Sequence, residues 1–155
     1  MGWQADRLRR MYVGGVGNRT ARRFARAWSV VFAHLPIGKR WVTLEVAGRR
    51  SGKITRFPLG MADIDGRWYL VSMLGECNWT RNVRAAHGHA HLVRGRRRRP
   101  VALDETPVAD RPPILKSYLE DVPGGRPHIP VDRDEPVAAF AAVADRYPVF
   151  LVTYE

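Results

Sequence analysis

Residues 54–74, ITRFPLGMADIDGRWYLVSML, decide the fold of this 155-residue chain. Two runs rich in β-branched and aromatic residues, Ile54 to Met61 and Arg67 to Leu74, flank the dipeptide Asp65-Gly66. Such runs favour β-strands, and Asp-Gly is a strong signal for a two-residue hairpin turn because both residues tolerate positive φ. The stretch therefore predicts a β-hairpin.

Further strands are predicted on both sides of this hairpin. Residues 40–46 alternate Val and Leu with Trp, Thr and Glu, residues 89–93 and 97–103 flank the turn Arg94-Gly95-Arg96, and residues 149–154 end the chain as a strand. Long βαβ crossovers are few, so the order of elements favours an antiparallel barrel over a doubly wound parallel sheet. The sequence predicts one α+β, mainly β domain over the whole chain: a six-stranded antiparallel barrel with flanking helices.

Four helical segments complete the prediction. A basic amphipathic helix, Thr20 to His34, lies in the N-terminal region 1–38, and a short helix, Trp79 to Ala86, is capped by Asn78. Their order along the chain places the second helix directly after the central hairpin. The remaining two segments run from Thr106 to about Leu119 and onward from Asp134-Glu135-Pro136.

Charge is the strongest deviation in composition. Lys and Arg number 26 against 15 Asp and Glu, which gives a formal net charge of +11. Nucleic acid, an acidic membrane surface and a phosphate-bearing coenzyme would all suit such a chain.

Cys77 is the one cysteine, so no internal disulfide can form, and neither a secretory signal nor a spanning segment is evident. We expect a cytosolic protein with an anionic partner.

The most informative charged stretch is Gly48-Arg49-Arg50-Ser51-Gly52-Lys53. Two glycines free the backbone to curl, while three cations and a hydroxyl converge above the loop, a combination that suits an anion. It is not a nucleotide-triphosphatase P-loop, since only three residues separate the glycines and a strand follows Lys53. Taken alone, the loop could equally be a solvated basic turn.

The loop is followed by further motifs at defined spacing. They are Arg56, Phe57-Pro58-Leu59, Gly66, Trp68-Tyr69-Leu70-Val71-Ser72 and Trp79-Thr80-Arg81-Asn82-Val83-Arg84. Loop and motifs together resemble the deazaflavin-dependent nitroreductases, which carry a glycine-arginine/lysine-x-serine-glycine loop, a downstream arginine and proline-leucine, and a tryptophan-x-x-asparagine helix. The resemblance covers about residues 40–103, and Pro148-Val149-Phe150 is similar to the family's ending.

The resemblance implies a split β-barrel related to flavin-binding pyridoxine-phosphate oxidases, holding coenzyme F420, a deazaflavin with a phosphate and a polyglutamate tail. Flavin mononucleotide (FMN) is the alternative coenzyme. The implied contacts are Arg49, Arg50, Ser51, Gly52, Lys53 and Arg56 for the phosphate or tail, Pro58, Leu59 and Gly60 along the ring, Ser72, Met73 and Leu74 as nearby backbone groups or walls, and Trp79, Asn82 and Arg84 from the short helix.

The implied reaction is hydride transfer from the reduced deazaflavin to a quinone, a nitroaromatic or an activated alkene. The coenzyme supplies the difficult chemistry, which fits the lack of an evident catalytic triad or carboxylate pair. Ser72 and Tyr147 are the candidates for donating a hydrogen bond or a proton. The sequence departs from the family pattern at residues 73–78, where Glu76 and Cys77 replace small, glycine-rich residues and a proline.

Several alternatives stay open at this level. One is an FMN- or lipid-binding barrel that carries its ligand without catalysis, and a less favoured one is a nucleic-acid-binding module, because no aromatic platform accompanies the basic residues. His87-x-His89-x-His91 is interpreted as surface histidines, with no metal site expected. The resemblance implies a homodimer, and the Thr20 to His34 helix could contact a membrane surface.

Overall fold

The computed structural model describes residues 40–155. Six antiparallel strands close into a barrel in the order β1-β2-β3-β6-β5-β4. The strands are β1 (Trp41–Ala47), β2 (Ile54–Ile64), β3 (Arg67–Val71), β4 (His89–Arg94), β5 (Arg97–Glu105) and β6 (Val149–Tyr154). The predicted six-stranded antiparallel barrel is confirmed. The predicted helix Thr20 to His34 and the rest of region 1–38 lie outside the described residues.

The central hairpin forms as its turn residues predict. Asp65 and Gly66 have φ values of 52° and 78°, and Ile64 pairs with Arg67 across the turn. Such positive φ values at both central residues suit the right-handed twist of a hairpin. The turn therefore sets the register of β2 and β3, and with it which side chains enter the barrel.

Alternation along the strands divides the apolar residues between two cores. Val42, Leu44 and Val46 of β1 point into the barrel and are almost fully buried. They pack with inward residues of the other strands to fill the barrel interior. Buried side chains on the outer wall, such as Ala62 and Val71, belong to a second cluster formed with helices.

Three helices accompany the barrel in the described part of the chain. They are α1 (Asn78–Ala85), α2 (Pro112–Asp121) and α3 (Val137–Ala141), with short 3₁₀ turns at Val108–Asp110, Pro123–Gly125 and Ala144–Arg146. Leu115 and Leu119 of α2 and Phe140 of α3 are fully buried in the outer cluster. Burying three such side chains is worth roughly 1.5 to 3 kcal/mol each, so α2 is stably held against β2 and β3, and α3 is held against α2. No helix of residues 40–155 is long and apolar enough to cross a membrane.

Some element boundaries differ from the predictions. The predicted cap Asn78 is wrong, because the N-cap of α1 is Cys77, whose backbone N–H donates to Thr80 Oγ1 at 3.1 Å. Strand β3 ends at Val71 and not at Leu74, since the backbone N–H of Ser72 already donates to the carbonyl of Pro148 and the chain then turns.

The two later helical regions differ from the predictions in their bounds. The region expected to be helical from Thr106 contains a 3₁₀ turn, and α2 itself begins at Pro112, where a missing N–H costs nothing. The helix after Pro136 ends at Ala141, and a 3₁₀ turn takes its place at Ala144–Arg146. These differences lie in the outer layer, where tertiary packing determines the ends of a helix more than the helix propensity of its residues does.

Candidate functional site

Motifs that are distant in sequence meet at one end of the barrel. The loop of residues 48–53, hereafter the basic loop, joins β1 to β2 beyond the pair Ala47 and Ile54. The segment 72–77 leaves β3 beyond the pair Val71 and Val149, and α1 follows it and contacts β1. Neighbouring strands of the barrel run in opposite directions, so the end of β1, the start of β2, the end of β3 and the start of β6 all lie at one end of the barrel. The basic loop and segment 72–77 therefore lie at the same end.

The basic loop has a defined conformation. The N–H of Gly48 donates to the carbonyl of Lys53 at 2.7 Å, and the N–H of Gly52 donates to the carbonyl of Gly48 at 2.8 Å. Gly52 has a φ of +71°, which an L side chain rarely adopts, and Ser51 Oγ accepts the N–H of Lys53 at 3.2 Å. Residues 49–53 are exposed. The sequence has therefore built a closed turn that presents its cations to solvent.

Asn82 of α1 ties this loop to the body of the protein. Its Oδ1 accepts hydrogen bonds from the backbone N–H of Arg49 at 3.2 Å and from Arg49 Nη1 at 2.9 Å. Its Nδ2 donates to Thr55 Oγ1 at 3.4 Å, and Thr55 donates to the carbonyl of Val46 at 2.7 Å. Because Asn82 is buried and its amide is engaged, it positions the loop and holds Arg49, while Arg50 and Lys53 remain directed to solvent.

The three residues implied to line the coenzyme ring lie on both sides of β2. Leu59 packs against the interior cluster, whereas Pro58 and Gly60 alternate onto the outer wall. A Cβ at Gly60 would lie 2.9 Å from Val122 and 3.2 Å from Trp41, so glycine is required there by packing. A ring on the outer wall would contact Pro58 and not the side chain of Leu59.

Trp79 belongs to the barrel core. Its side chain is 5% exposed, and its ring centroid lies 5.6 Å from that of Phe150 at a tilted angle. An aromatic pair in this arrangement stabilises packing beyond the area that it buries. The tryptophan of the motif therefore anchors α1 over the barrel end and so fixes the position of Asn82.

The segment after β3 is held by internal contacts. The hydroxyl of Ser72, which is buried, donates to the carbonyl of Gly75 at 2.5 Å and lies 3.4 Å from Cys77 Sγ. Met73 packs against the outer cluster, and Leu74 is half-buried. These contacts fix the conformation of segment 72–77 at the barrel end that also carries the basic loop.

Tyr147 lies in the buried outer cluster just before β6. Its hydroxyl donates to the carbonyl of His128 at 3.0 Å. The next residue, Pro148, accepts the N–H of Ser72 at 2.9 Å. Both candidate proton donors thus lie near the same end of the barrel, and each donates its hydroxyl hydrogen to a backbone carbonyl.

Arg84 is committed to two carboxylates. Its Nη1 and Nη2 donate to Glu76 at 2.6 and 2.7 Å, and its Nε and Nη2 donate to Glu105 at 2.8 and 2.7 Å. These hydrogen bonds from Arg84 lower the pKa of Glu76 and the pKa of Glu105. The arginine therefore clamps segment 72–77 and α1 to the end of β5, and it is not a free charge for a coenzyme.

A buried arginine extends this clamp. Arg111 contacts Glu105 at 3.3 Å, and its other nitrogens donate to the carbonyls of Thr106 and Ala144 at 2.9 and 3.1 Å. Sequence reasoning missed Glu105 and Arg111, because they are far from the motif in sequence and only the barrel brings them beside α1. Glu76, the residue that breaks the family pattern, is thus part of a structural network.

Arg56 lies on the outer wall of β2, where it pairs with Glu45 of β1 at 2.9 Å. Arg98 of β5 binds the other oxygen of the same carboxylate at 2.7 Å. Sequence reasoning identified Arg56 but neither Glu45 nor Arg98, since their proximity depends on strand register.

Residues 40–155 contain no group of three or more His, Cys, Asp or Glu side chains placed to hold a metal ion. His87 has a φ of 54° in the turn before β4, and His89 and His91 follow on that strand, with His89 exposed. The surface interpretation of His89 agrees with its exposure.

Comparison with known protein families identifies the chain. Residues 18–138 match the model of the family described as F420H(2)-dependent quinone reductase. The chain belongs to this family. F420H(2)-dependent quinone reductases are oxidoreductases, and their coenzyme is F420, so the class of enzyme and the coenzyme expected from the sequence are confirmed. None of the curated proteins compared with the chain matches it.

Several solved structures share the fold of this quinone reductase family member, although their sequences are only distantly similar. A structure described as an F420-H2 dependent reductase has 22% identity and a TM-score of 0.52 over 77% of this chain and 98% of its own. One described as a domain-swapped dimer has 19% identity and a TM-score of 0.52 over 88% and 100%. A protein of unknown function from Agrobacterium tumefaciens has 13% identity and a TM-score of 0.55 over 89% and 55%. These likenesses confirm the split-barrel fold.

The geometry of the basic loop fits an anionic coenzyme. A closed turn with a left-handed glycine, two exposed cations and a hydroxyl offers charge-assisted donors to a phosphate. In this quinone reductase family member, Arg50, Ser51 and Lys53 are the side chains of the loop that Asn82 does not engage. The fit rests on the loop's own hydrogen bonds, independently of the family match.

The hydrogen bonds of Arg84 with Glu76 and Glu105 form the Arg84 clamp. We expect this clamp to make the free energy of unfolding decrease as the pH becomes acidic. Because the folded-state pKa of Glu76 and of Glu105 is lowered, both carboxylates stabilise the fold above their ordinary pKa of 4.5, and the contribution is lost as pH falls through the folded values. Glu76→Gln should flatten the decline in unfolding free energy between neutral and acidic pH, measured by urea denaturation. The network is partly exposed, so the effect should be about 1 kcal/mol or less.

Arg84→Met is the matched variant for this test, because it removes the largest cause of both pKa shifts at once. Its pH dependence should be flatter than that of Glu76→Gln. Identical pH dependence in the wild type and both variants would show that the clamp does not contribute to acid stability.

Proposed function

We propose that this protein transfers a hydride from reduced F420 to a quinone, with the coenzyme's phosphate bound at the basic loop. The observation that carries the proposal is the closed turn of residues 48–53, fastened by Asn82 to α1. Family membership supports the coenzyme and the quinone class. Nitroaromatics and activated alkenes are further acceptors of the same electronic kind, and we include them in the proposal as weaker substrates.

Arg50, Ser51 and Lys53 bind and orient the coenzyme in this proposal. Arginine suits phosphate because its guanidinium donates in a planar fork, while lysine adds a compact charge. Asn82 acts indirectly, because it accepts hydrogen bonds from Arg49 and so holds the basic loop in position. Pro58, on the outer wall of β2, is the residue of that strand best placed to lie beside a ring.

When bound, reduced F420 supplies the hydride, and the protein's own part is to hold donor and acceptor in place and exclude water. Ser72 and Tyr147 donate to the carbonyls of Gly75 and His128, so each would have to break a hydrogen bond to donate to an acceptor. We therefore assign them to shaping the site, and we assign the acceptor's proton to solvent, taken up once the reduced product leaves the water-excluding site.

Assembly and location are also matters of proposal. A related fold described as a domain-swapped dimer supports a homodimer for this chain. A cytosolic location and contact of the Thr20 to His34 helix with a membrane surface remain predictions from the sequence.

Coenzyme titration tests the proposed function. Intrinsic tryptophan fluorescence of the purified protein should be quenched by F420 at micromolar concentrations or below and by FMN only at higher concentrations. With reduced F420 present, a soluble naphthoquinone should be reduced faster than a nitroaromatic or an enone, followed by the reappearance of oxidised F420 absorbance.

Two outcomes would contradict the proposal in different ways. Tight FMN binding without F420 binding would favour a flavin carrier. Tight binding of duplex or single-stranded DNA at physiological salt, with no coenzyme-dependent quenching at tens of micromolar, would favour a nucleic-acid-binding module.

A further inference from the structure

The hairpin between β4 and β5 is dense in arginine. Five of the six residues 94–99 are arginines, and Gly95 makes the turn with a φ of +59°. Within residues 40–155, Arg98 is the one of these five that forms a salt bridge, with Glu45. Like charges that face each other across a hairpin are destabilising. The other four arginines therefore repel one another in the ligand-free protein, and an anion bound among them would relieve this repulsion.

Three of these arginines share one face of the hairpin. Arg94 pairs with Arg97 across the ladder, and Arg99 pairs with Leu92. Directly paired residues point to the same side of a sheet, and alternate residues along a strand share a face. All three arginines therefore lie on the face that carries Leu92 and Val101, which is the barrel interior further along the strands. Their guanidinium groups stand around the end of the barrel that this hairpin forms.

Tyr154 at the end of β6 lies among these arginines. It pairs with Val101 of β5 and packs against the interior cluster. The guanidinium carbon of Arg99 lies 4.3 Å from the centroid of the Tyr154 ring, and Arg94 Nη2 donates to the tyrosine hydroxyl at 3.2 Å. A guanidinium held over an aromatic ring keeps its N–H groups available for acceptors. Tyr154 therefore positions two arginines that come from different strands.

One nitrogen of this group lacks a partner. Arg94 Nε is buried, and no acceptor lies within hydrogen-bond distance of it. A buried N–H without an acceptor is unfavourable, and nearly all such groups in folded proteins have one. Arg94 would therefore gain a hydrogen bond if its side chain shifted toward an acceptor beside Tyr154. Arg97 and Arg99 are exposed, so an anion from solvent can reach this place.

The hairpin arginines are separate from the basic loop. Val93, next to Arg94, pairs with Thr43 near the start of β1, whereas the basic loop follows Ala47 at the end of β1. The two levels are about 14 Å apart along the extended strand. A phosphate bound at one end of the barrel therefore cannot contact the cations at the other end.

We propose that Arg94, Arg97 and Arg99, arranged around Tyr154, form a second anion site that binds a phosphate group, either of a free phosphate or diphosphate ligand or of a lipid headgroup. Three guanidinium groups suit phosphate, because each can donate to two of its oxygens in a planar fork. Tyr154 is the positioning residue of this site. The bound phosphate joins the β4–β5 hairpin to the end of β6. The site requires no coenzyme, so it does not depend on the proposed function.

Isothermal titration calorimetry with pyrophosphate tests the site. The titrated protein carries Arg50→Ala and Lys53→Ala, so that these two cations of the basic loop do not contribute. We expect it to bind about one pyrophosphate, the number that a single three-arginine site holds. Adding Arg97→Gln and Arg99→Gln should raise the Kd roughly 100-fold, because two charge-assisted hydrogen bonds are lost.

Two further variants separate the site from overall charge. Arg81→Gln with Arg133→Gln removes two exposed arginine charges outside the hairpin, and it should change the Kd by less than about threefold. Tyr154→Phe keeps the ring beside Arg99 but removes the hydroxyl that accepts from Arg94. It should raise the Kd by roughly threefold, the effect of one neutral hydrogen bond.

Thermal unfolding gives a second readout. Pyrophosphate at ten times its Kd should raise the Tm of the protein with the intact hairpin by about 3 to 6 °C. The same concentration should leave the Tm of the Arg97→Gln with Arg99→Gln variant unchanged. Without ligand, that variant should have a Tm no lower than its parent, because removing like charges removes their repulsion. This comparison also shows whether the variant is folded.

Vesicles identify the source of the phosphate. Sedimentation with phosphatidylglycerol vesicles but not with phosphatidylcholine vesicles, reversed by pyrophosphate, would assign the site to an anionic lipid headgroup, and no sedimentation would assign it to a free ligand. An unchanged Kd after Arg97→Gln with Arg99→Gln, or no pyrophosphate binding at millimolar concentrations, would overturn the site. Binding of vesicles or duplex DNA without pyrophosphate binding would also overturn it, because such binding needs many surface charges at once and not a built site.

Discussion

Gly88→Ala should lower the free energy of unfolding by about 2 to 5 kcal/mol. Gly88 has a φ of +79°, and a Cβ there would overlap the carbonyl oxygen of Leu103. That carbonyl belongs to the backbone of β5 and cannot swing away as a side chain could. The approach is fixed further because Leu103 donates its N–H to the carbonyl of Gly88 at 2.9 Å. Urea denaturation followed by tryptophan fluorescence measures the loss.

Gly95→Ala is the control that separates backbone conformation from close approach. Gly95 has a φ of +59° in the β4–β5 turn, with nothing within 4 Å of a Cβ placed there. It should cost about 1 to 2 kcal/mol, the cost of a left-handed conformation alone. Equal losses in Gly88→Ala and Gly95→Ala would show that contact with Leu103 is not responsible.

The barrel could be predicted because its signals are local. The turn Asp65-Gly66 and the alternation of Val42, Leu44 and Val46 each require only neighbouring residues, and the structure confirms them. The outer layer could not be predicted as well. The start of α2 at Pro112 and the end of α3 at Ala141 depend on tertiary packing in the outer cluster, which the sequence does not display.

The same distinction between local signals and tertiary contacts applies to the candidate site. The basic loop and the helix with Asn82 were identified by motif, and the structure brings them into direct contact. Arg84 carries the right charge for a coenzyme contact, yet its guanidinium binds Glu76 and Glu105. Which arginines are free depends on where carboxylates from other strands arrive, and that follows from register and not from spacing.

The double substitution Arg50→Ala with Lys53→Ala should weaken F420 binding by about 30- to 900-fold, because two charge-assisted hydrogen bonds at an exposed site are worth about 1 to 2 kcal/mol each. Neither side chain belongs to the contacts that close the loop, which join the backbone groups of Gly48, Gly52 and Lys53. The fold should therefore be unaffected. Affinity should also become less sensitive to salt, since two fewer cations attract the coenzyme. Fluorescence titration at two salt concentrations measures both effects.

The matched control is Arg96→Ala with Arg97→Ala, which removes the same two charges at the other end of the barrel. These arginines lie at the turn between β4 and β5, and the pairing of Thr43 with Val93 places that turn near the start of β1, away from the basic loop. If the loop binds the phosphate, the control should change the Kd by less than about threefold, since exposed charges farther apart than about 10 Å are largely screened at 0.1 M salt. Equal weakening in both double variants would mean that overall charge, and not the closed turn at residues 48–53, attracts the coenzyme.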